Sequence, residues 1–241
     1  EPYRRQRQMC IRDRPYNIKT LASSGSYSSA FYNCSNLKKI ALPEGLTALT
    51  ENAFYGCSKL EQLHIPSTVA RIGRSAFYNC KALTHAALPE GVTEIPQHAF
   101  YGCSALASVD IPSTVTTIVG YSFQNCAALK DVTLPDGLTA IGAYAFSGCK
   151  ALESIAIPSK VTTIENHAFY QCANLKTATF SEGLVSLQDD VFYQCVLLED
   201  VTFPASLETI GARTFGGCNS FTKISINIED IHEYSFWNCT G

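Results

Sequence analysis

The chain has 241 residues, of which 46% are hydrophobic and 16% are charged, and its formal net charge is −3. It is long and apolar enough to bury a core, which excludes a disordered segment. The near-neutral charge argues against a general nucleic-acid binder, and no apolar run approaches the length of a membrane-spanning helix.

The first fourteen residues differ in composition from the rest of the chain. Residues 1–14 hold five arginines and two acids. One interpretation is a basic arm for nucleic acid or an acidic membrane surface. We favour the alternative, that the segment is not native, because Met9 to Arg14 resemble a translated sequencing adapter; it is therefore excluded from fold reasoning. The native N-terminus is then expected to be missing, and residues 15–30 are interpreted as a degenerate first repeat with a serine-rich insertion.

From residue 31 to residue 241 the chain consists of repeats. Cysteines recur every 23 residues, with a final step of 21, at Cys34, Cys57, Cys80, Cys103, Cys126, Cys149, Cys172, Cys195, Cys218 and Cys239. A phenylalanine stands three residues before each one, at Phe31, Phe54, Phe77, Phe100, Phe123, Phe146, Phe169, Phe192, Phe215 and Phe236. Such a period is the signature of stacked structural repeats.

Each repeat carries a strand pattern followed by a tight turn. In one repeat Val109 and Ile111 alternate with polar residues, which predicts a strand that Pro112 ends. A second short extended piece is predicted over Val115 to Ile118. The segment around the phenylalanine and cysteine suits a tight helical or 3₁₀ turn. One unit cannot bury its own apolar edge, so the fold is predicted to be a β-rich leucine-rich-repeat solenoid of about ten repeats.

The full repeat pattern resembles the BspA-like leucine-rich repeats. Residues 157–175 and 134–152 show it clearly, with Leu/Ile-Pro at the start and Cys-x-x-Leu at the end. The resemblance covers residues from about Ile18 to Gly241. It implies a bacterial surface protein whose repeats act in adhesion and host-protein binding. The chain ends before the next leucine is due and shows no capping repeat, so we expect a C-terminally truncated fragment of a longer protein.

One departure from ordinary leucine-rich repeats concerns the asparagine ladder. Its positions hold Gly45, Thr68, Gly91, Thr114 and Gly137. The backbone groups that asparagine would serve then need other partners. The turn threonines, such as Thr47, Thr93 and Thr116, are the predicted donors.

The cysteine ladder has three interpretations. The favoured one is a small buried hydrophobic residue in each turn. Disulfides between adjacent turns are within bridging distance, but equal spacing gives no preferred pairing. A zinc site needs convergent ligands, which a straight row does not provide.

A tyrosine row follows the phenylalanines at Tyr32, Tyr55, Tyr78 and Tyr101, resumes at Tyr170 and Tyr193, and is interrupted at Gln124, Ser147 and Gly216. The favoured interpretation is edge packing that shields the core. The alternative is an aromatic stripe on which a sugar or a peptide stacks.

Outward strand positions form the predicted concave binding face. Its central residues are His64, His85, Ser108, Asp110, Asp131 and Thr133. Asp110 and Asp131 are expected to make a small acidic centre. His64 and His85 are interpreted as solvated strand residues rather than as a metal pair, because no third ligand is apparent.

No catalytic, phosphate-binding or cofactor motif occurs in the sequence. The chain is therefore predicted to be a non-enzymatic protein-interaction or adhesion module, at the cell surface or secreted, without cofactor or metal. A protein is the expected partner and a glycan is a second one. Two alternatives stay open: a carbohydrate-binding or scaffolding segment of a larger enzyme, and an intracellular repeat scaffold.

Overall fold

The computed structural model describes residues 31–221, 228 and 230–240. These residues form sixteen short strands joined by turns, without any helix in the described part of the chain. The predictions for residues 1–14 and 15–30 lie outside the described residues. So do Lys223 and Ser225, which sequence reasoning places on the last outward strand positions.

The strands lie in two parallel ladders, which hydrogen bonding divides into five separate sheets. The first ladder contains the longer strands β1 (Lys39–Ala41), β3 (Gln62–His64), β5 (His85–Ala87), β7 (Ser108–Asp110), β10 (Ser154–Ile157), β12 (Thr177–Phe180) and β14 (Asp200–Thr202). The second contains β2 (Ala48–Leu49), β4 (Arg71–Ile72), β6 (Glu94–Ile95), β8 (Thr117–Ile118), β9 (Ala140–Ile141), β11 (Thr163–Ile164), β13 (Ser186–Leu187), β15 (Thr209–Ile210) and β16 (Asp230–Ile231).

Strand pairing confirms the solenoid and its period. Ile40 pairs with Leu63 in the first ladder, and Leu49 pairs with Ile72 in the second, each across 23 residues. Ile210 pairs with Ile231 across the shorter final step. Every side chain therefore lies beside its counterpart from the neighbouring repeat.

The phenylalanines form the centre of the core. Phe54, Phe77 and Phe100 and their equivalents as far as Phe215 are at most 1% exposed. Neighbouring rings stack nearly parallel, with centroids 5.0 Å apart between Phe77 and Phe100 and 5.7 Å apart between Phe54 and Phe77. This is the offset stacking range that aromatic pairs prefer. The continuous column of rings gives each interior turn two aromatic neighbours.

The segments around each phenylalanine are tight turns closed by 3₁₀-type i→i+3 hydrogen bonds, such as Tyr55 N to Asn52 O at 3.1 Å, and in the described residues they do not continue into a helix. In the repeat 52–57, Asn52 has φ 56° and Gly56 has φ 71°. Left-handed residues cannot continue a right-handed helix, so each short turn stops after a few residues. Gly56 suits this position because glycine has no Cβ to oppose a positive φ.

The same turns bond to one another along the solenoid. Asn52 N donates to Arg74 O at 2.9 Å, Phe54 N to Ala76 O at 2.7 Å, and Gly56 N to Tyr78 O at 2.7 Å. Alternate amides thus point to the next turn, as in a parallel sheet. These bonds satisfy backbone groups that would otherwise be buried without partners.

The cysteine ladder packs in the core as free thiols from Cys57 onward. Each thiol donates to the carbonyl of a phenylalanine one turn back: Cys126 Sγ lies 3.1 Å from Phe100 O, and Cys149 Sγ lies 3.3 Å from Phe123 O. The predicted packing role is confirmed for these residues, with a hydrogen bond that sequence reasoning did not foresee. Cys34 departs from it, because it is disulfide-bonded.

Hydroxyl side chains replace the asparagine ladder. Thr68 Oγ1 donates to Leu46 O at 2.8 Å, and Thr114 Oγ1 donates to Val92 O at 2.7 Å. The ladder position itself therefore supplies the donor in these repeats. Among the turn threonines that were predicted, Thr116 donates to Thr93 O at the longer distance of 3.3 Å.

Replacing Thr114 with valine is expected to lower the free energy of unfolding by about 1 kcal/mol, because Val92 O loses a half-buried donor. Urea denaturation measures the change. Thr116→Val is the matched control, and its loss should be smaller because that hydroxyl is exposed and its bond is longer. An equal loss in both variants would contradict the ladder role of Thr114.

Candidate functional site

The outward side chains of the first ladder make one exposed surface, here called the strand face. One row contains Lys39, Gln62, His85, Ser108, Asp131, Ser154 and Thr177, and the other contains Ala41, His64, Ala87, Asp110, Thr133, Ala156, Thr179 and Thr202. All are exposed except Ser108, which is half-buried. The structure thus brings the six predicted face residues together on one side of the solenoid.

At the middle of the strand face, His85 joins two neighbouring side chains. Its Nδ1 lies 2.9 Å from Ser108 Oγ, and its Nε2 lies 3.4 Å from Asp110 Oδ2. Ser108 also forms a parallel bridge with Asp131. The predicted acidic centre is therefore paired on one side with an imidazole. The His85 and Asp110 side chains are 50% and 70% exposed, so this contact adds little stability and stays open to a partner.

A depression of about 760 Å³ lies on the strand face, among strands β1, β3 and β5. Lys39, Glu44, Gln62, His64 and His85 give it polar walls, and it has an apolar floor from Ile40 and neighbouring residues. Mixed charges and a partly apolar floor suit a peptide or protein loop. Within the described ranges, no three histidine, cysteine, aspartate or glutamate side chains converge to hold a metal ion, so His64 and His85 have no third ligand there.

The tyrosine row forms a stack on the other surface of the repeats. Ring centroids are 4.8 Å apart between Tyr32 and Tyr55, 4.5 Å between Tyr55 and Tyr78, and 4.6 Å between Tyr78 and Tyr101. Tyr32 is 40% exposed, and the other three are half-buried. Partial burial raises the pKa of Tyr78, so its ring stays neutral at neutral pH. The row shields the core and also presents ring edges to solvent.

Sequence reasoning missed a second aromatic row. It continues through the repeats in which Gln124 and Ser147 interrupt the tyrosine row. Ring centroids are 5.0 Å apart between His98 and Tyr121, 4.9 Å between Tyr121 and Tyr144, and 4.4 Å between Tyr144 and His167. These four residues occupy the left-handed position two before each phenylalanine. Their shared position in the repeat, two residues before each phenylalanine, is the sequence signal that could have identified them.

Two histidines connect the rows. His98 meets the edge of Tyr101 at 5.7 Å, and His167 tilts against Tyr170 at 5.4 Å. Tyr170 in turn stacks on Tyr193 at 5.4 Å. Together the rings make one continuous surface, the aromatic stripe, formed by Tyr32, Tyr55, Tyr78, Tyr101, His98, Tyr121, Tyr144, His167, Tyr170 and Tyr193.

The repeat geometry agrees with a known family model. The model of the BspA type leucine rich repeat region matches residues 26–152 and 116–241. The chain belongs to the BspA-type leucine-rich repeat family. This confirms the predicted resemblance and the leucine-rich-repeat fold.

Solved structures of bacterial leucine-rich repeat proteins are similar to this BspA-type chain. A leucine rich cell surface protein from Faecalibacterium prausnitzii is 29% identical with a TM-score of 0.58, over 88% of this chain and 67% of that one. A leucine rich repeat protein of T. pallidum is 32% identical with a TM-score of 0.61, over 67% of this chain and 75% of that one. A leucine-rich repeat protein from Eubacterium ventriosum shares the fold at 19% identity, with a TM-score of 0.65 over 88% and 79% of the two chains.

No curated protein sequence matches the chain. The part of the chain that the structure describes contains no helix with the length and apolar character needed to span a bilayer.

Proposed function

We propose that this BspA-type solenoid is a non-enzymatic module that binds protein partners through its strand face at a bacterial cell surface. The observation that carries the proposal is the strand face itself, a continuous row of exposed, mostly short side chains on paired parallel strands. Family membership supports a recognition role, and the similar Faecalibacterium prausnitzii protein is described as a cell surface protein.

The chemistry of the strand face favours an extended protein segment as the ligand. Ala41, Ala87 and Ala156 leave room for a partner backbone to approach the sheet closely. His85, Ser108 and Asp110 offer donors and acceptors at the centre, where they fix the register of a polar ligand. The face lacks the large aromatic anchors that dominate tight interfaces, so a single site should bind weakly. Display of many copies on one surface would raise the overall avidity.

The test reverses charge at the centre of the strand face. Asp110→Lys with Asp131→Lys is expected to weaken binding to a protein ligand at least about tenfold, because two acceptors become cations. Surface plasmon resonance against a panel of purified extracellular matrix proteins measures the affinities. Circular dichroism checks that each variant folds.

Two control pairs make this result specific. Asp136→Lys with Glu208→Lys makes the same change in net charge at exposed positions outside the strand face, and it should leave binding nearly unchanged. Tyr55→Ser with Tyr78→Ser disrupts the aromatic stripe. Loss of the protein ligand in the tyrosine pair, with retention in the aspartate pair, would refute the strand-face site.

A further inference from the structure

The aromatic stripe ends at a cleft with a different composition. The cleft has a volume of about 520 Å³ and is lined by His167, Tyr170, Asp190, Tyr193, Arg213, Tyr234 and Trp237. Tyr234 is 60% exposed and Trp237 is 49% exposed; both lie in the last turn that the structure describes, where no following turn covers them. Exposed aromatic side chains beside a concave polar site are typical of ligand binding.

Beside the cleft, one turn of the aromatic row has no side chain. Gly216 occupies the row position between Tyr193 and Trp237, which are two turns apart. A Cβ at Gly216 would lie 2.8 Å from Tyr193 Cδ2 and 3.2 Å from Arg213 O. The Tyr193 ring therefore lies close over Gly216, and a larger residue there would displace that ring toward the cleft.

An ion pair between a buried carboxylate and an exposed guanidinium provides the polar part of the cleft. Asp190 is only 2% exposed, and it accepts from Arg213 Nε at 2.9 Å and from Arg213 Nη2 at 2.6 Å. His167 Nε2 lies 3.4 Å from the same carboxylate. Asp190 holds the guanidinium in place, and the fork geometry directs the remaining Arg213 donors away from this carboxylate.

The combination of these groups selects among ligand classes. A wholly apolar ligand would cover the Asp190–Arg213 pair without replacing the water that solvates it, which is costly. A strongly anionic ligand would gain little from the Arg213 guanidinium, because Asp190 already neutralises its charge. The Asp190 carboxylate would also repel such a ligand. A neutral ring with hydroxyl groups avoids both penalties, because hydroxyls donate and accept while the ring face packs on aromatic carbon.

We propose that this cleft binds a neutral pyranose ring of a glycan. The sugar lies in the cleft, with its C–H face against Trp237 or Tyr193 and its hydroxyls toward Arg213 and Asp190. The proposal does not depend on protein binding at the strand face, because the two surfaces share no residue.

The single tryptophan of the chain makes a direct experiment available. Trp237 fluorescence is titrated with neutral methyl glycosides of glucose, galactose, mannose and N-acetylglucosamine, with glycerol as the non-specific control. A saturable change with at least one glycoside, and none with glycerol, is expected. No saturable response to any of the four glycosides would overturn the proposal.

Variants locate the response in the cleft. Gly216→Tyr is expected to abolish glycoside binding because it displaces the Tyr193 ring that lines the cleft, whereas Gln124→Tyr adds a tyrosine to the same row elsewhere and should leave binding intact. Arg213→Lys should weaken binding by roughly tenfold, because lysine keeps the charge beside Asp190 and loses the planar fork. Saturation-transfer NMR gives an independent readout in each variant. Undiminished binding in folded Gly216→Tyr, or a response to peptides without any response to glycosides, would contradict the assignment.

Discussion

Replacing Phe146 with alanine is expected to lower the free energy of unfolding by about 3–5 kcal/mol. The ring is fully buried, and it stacks on Phe123 at 5.2 Å and on Phe169 at 5.3 Å. Its removal leaves a cavity between two aromatic neighbours that the rigid turns on each side cannot close. Urea denaturation followed by circular dichroism measures the loss.

Phe236 is the matched control for this substitution. It is half-buried and stacks on Phe215 at 5.3 Å. Phe236→Ala should cost much less than Phe146→Ala, because stability in a solenoid is the sum of interfaces between neighbouring repeats. Equal losses at the two positions would be inconsistent with the ring column.

The second large effect is a loss of stability in alkaline solution. Burial raises the pKa of the thiols of Cys57, Cys126, Cys149, Cys195 and Cys218 far above the ordinary value. In the unfolded chain the same thiols ionise near pH 8.5. Because the folded pKa is raised, the stabilising contribution is fully present below about pH 8.5 and is lost as pH rises above it.

Above about pH 8.5, each such thiol lowers the free energy of unfolding by about 1.4 kcal/mol per pH unit. The five thiols together therefore lower it by roughly 7 kcal/mol per pH unit. Typical domains are stable by about 5–15 kcal/mol, and unfolding is therefore expected by about pH 10. Denaturant midpoints measured across this range test the slope. In the variant Cys126→Ala with Cys149→Ala, the slope should be smaller by about 2.7 kcal/mol per pH unit. An unchanged slope would show that the thiols are not the cause.

Much of this fold was predictable because the same residue pattern recurs in about ten repeats. The spacing of cysteine and phenylalanine gave the stacking period, and the alternation around Val109 gave the strand β7 with its outward neighbours. The predicted tight turns are present without extending into helices in the described residues, and the sequence contains the reason. Asn33, Gly56 and Asn79 precede the cysteines, and these residue types readily adopt the left-handed conformation that ends a helix.

Features that depend on side-chain geometry could not be read from spacing. The contact between His85 and Asp110 is diagonal and requires particular rotamers on two strands. The second aromatic row mixes histidine and tyrosine with Asn52, Ser75 and Asp190 in the same column, so composition alone does not distinguish it. The cleft lies beside Gly216, a position without a side chain, which a search for motifs overlooks.

The strand face and the cleft are suited to chemically different ligands. The strand face offers backbone access and mixed charge, whereas the cleft at the end of the aromatic stripe offers ring faces and the ion pair between Arg213 and the buried Asp190. A solenoid permits this division because each column of the repeat can change without disturbing the core columns. We therefore expect the two ligand classes to be lost through different substitutions.

The most direct test of this account is one array that carries both extracellular matrix proteins and neutral glycans. The array is probed with the unmodified chain, with Asp110→Lys plus Asp131→Lys, and with Gly216→Tyr, after each is shown to fold. We expect the aspartate pair to lose protein binding and keep glycan binding, and Gly216→Tyr to show the reverse. Loss of both ligand classes in either folded variant, or the opposite assignment of the two losses, would contradict it.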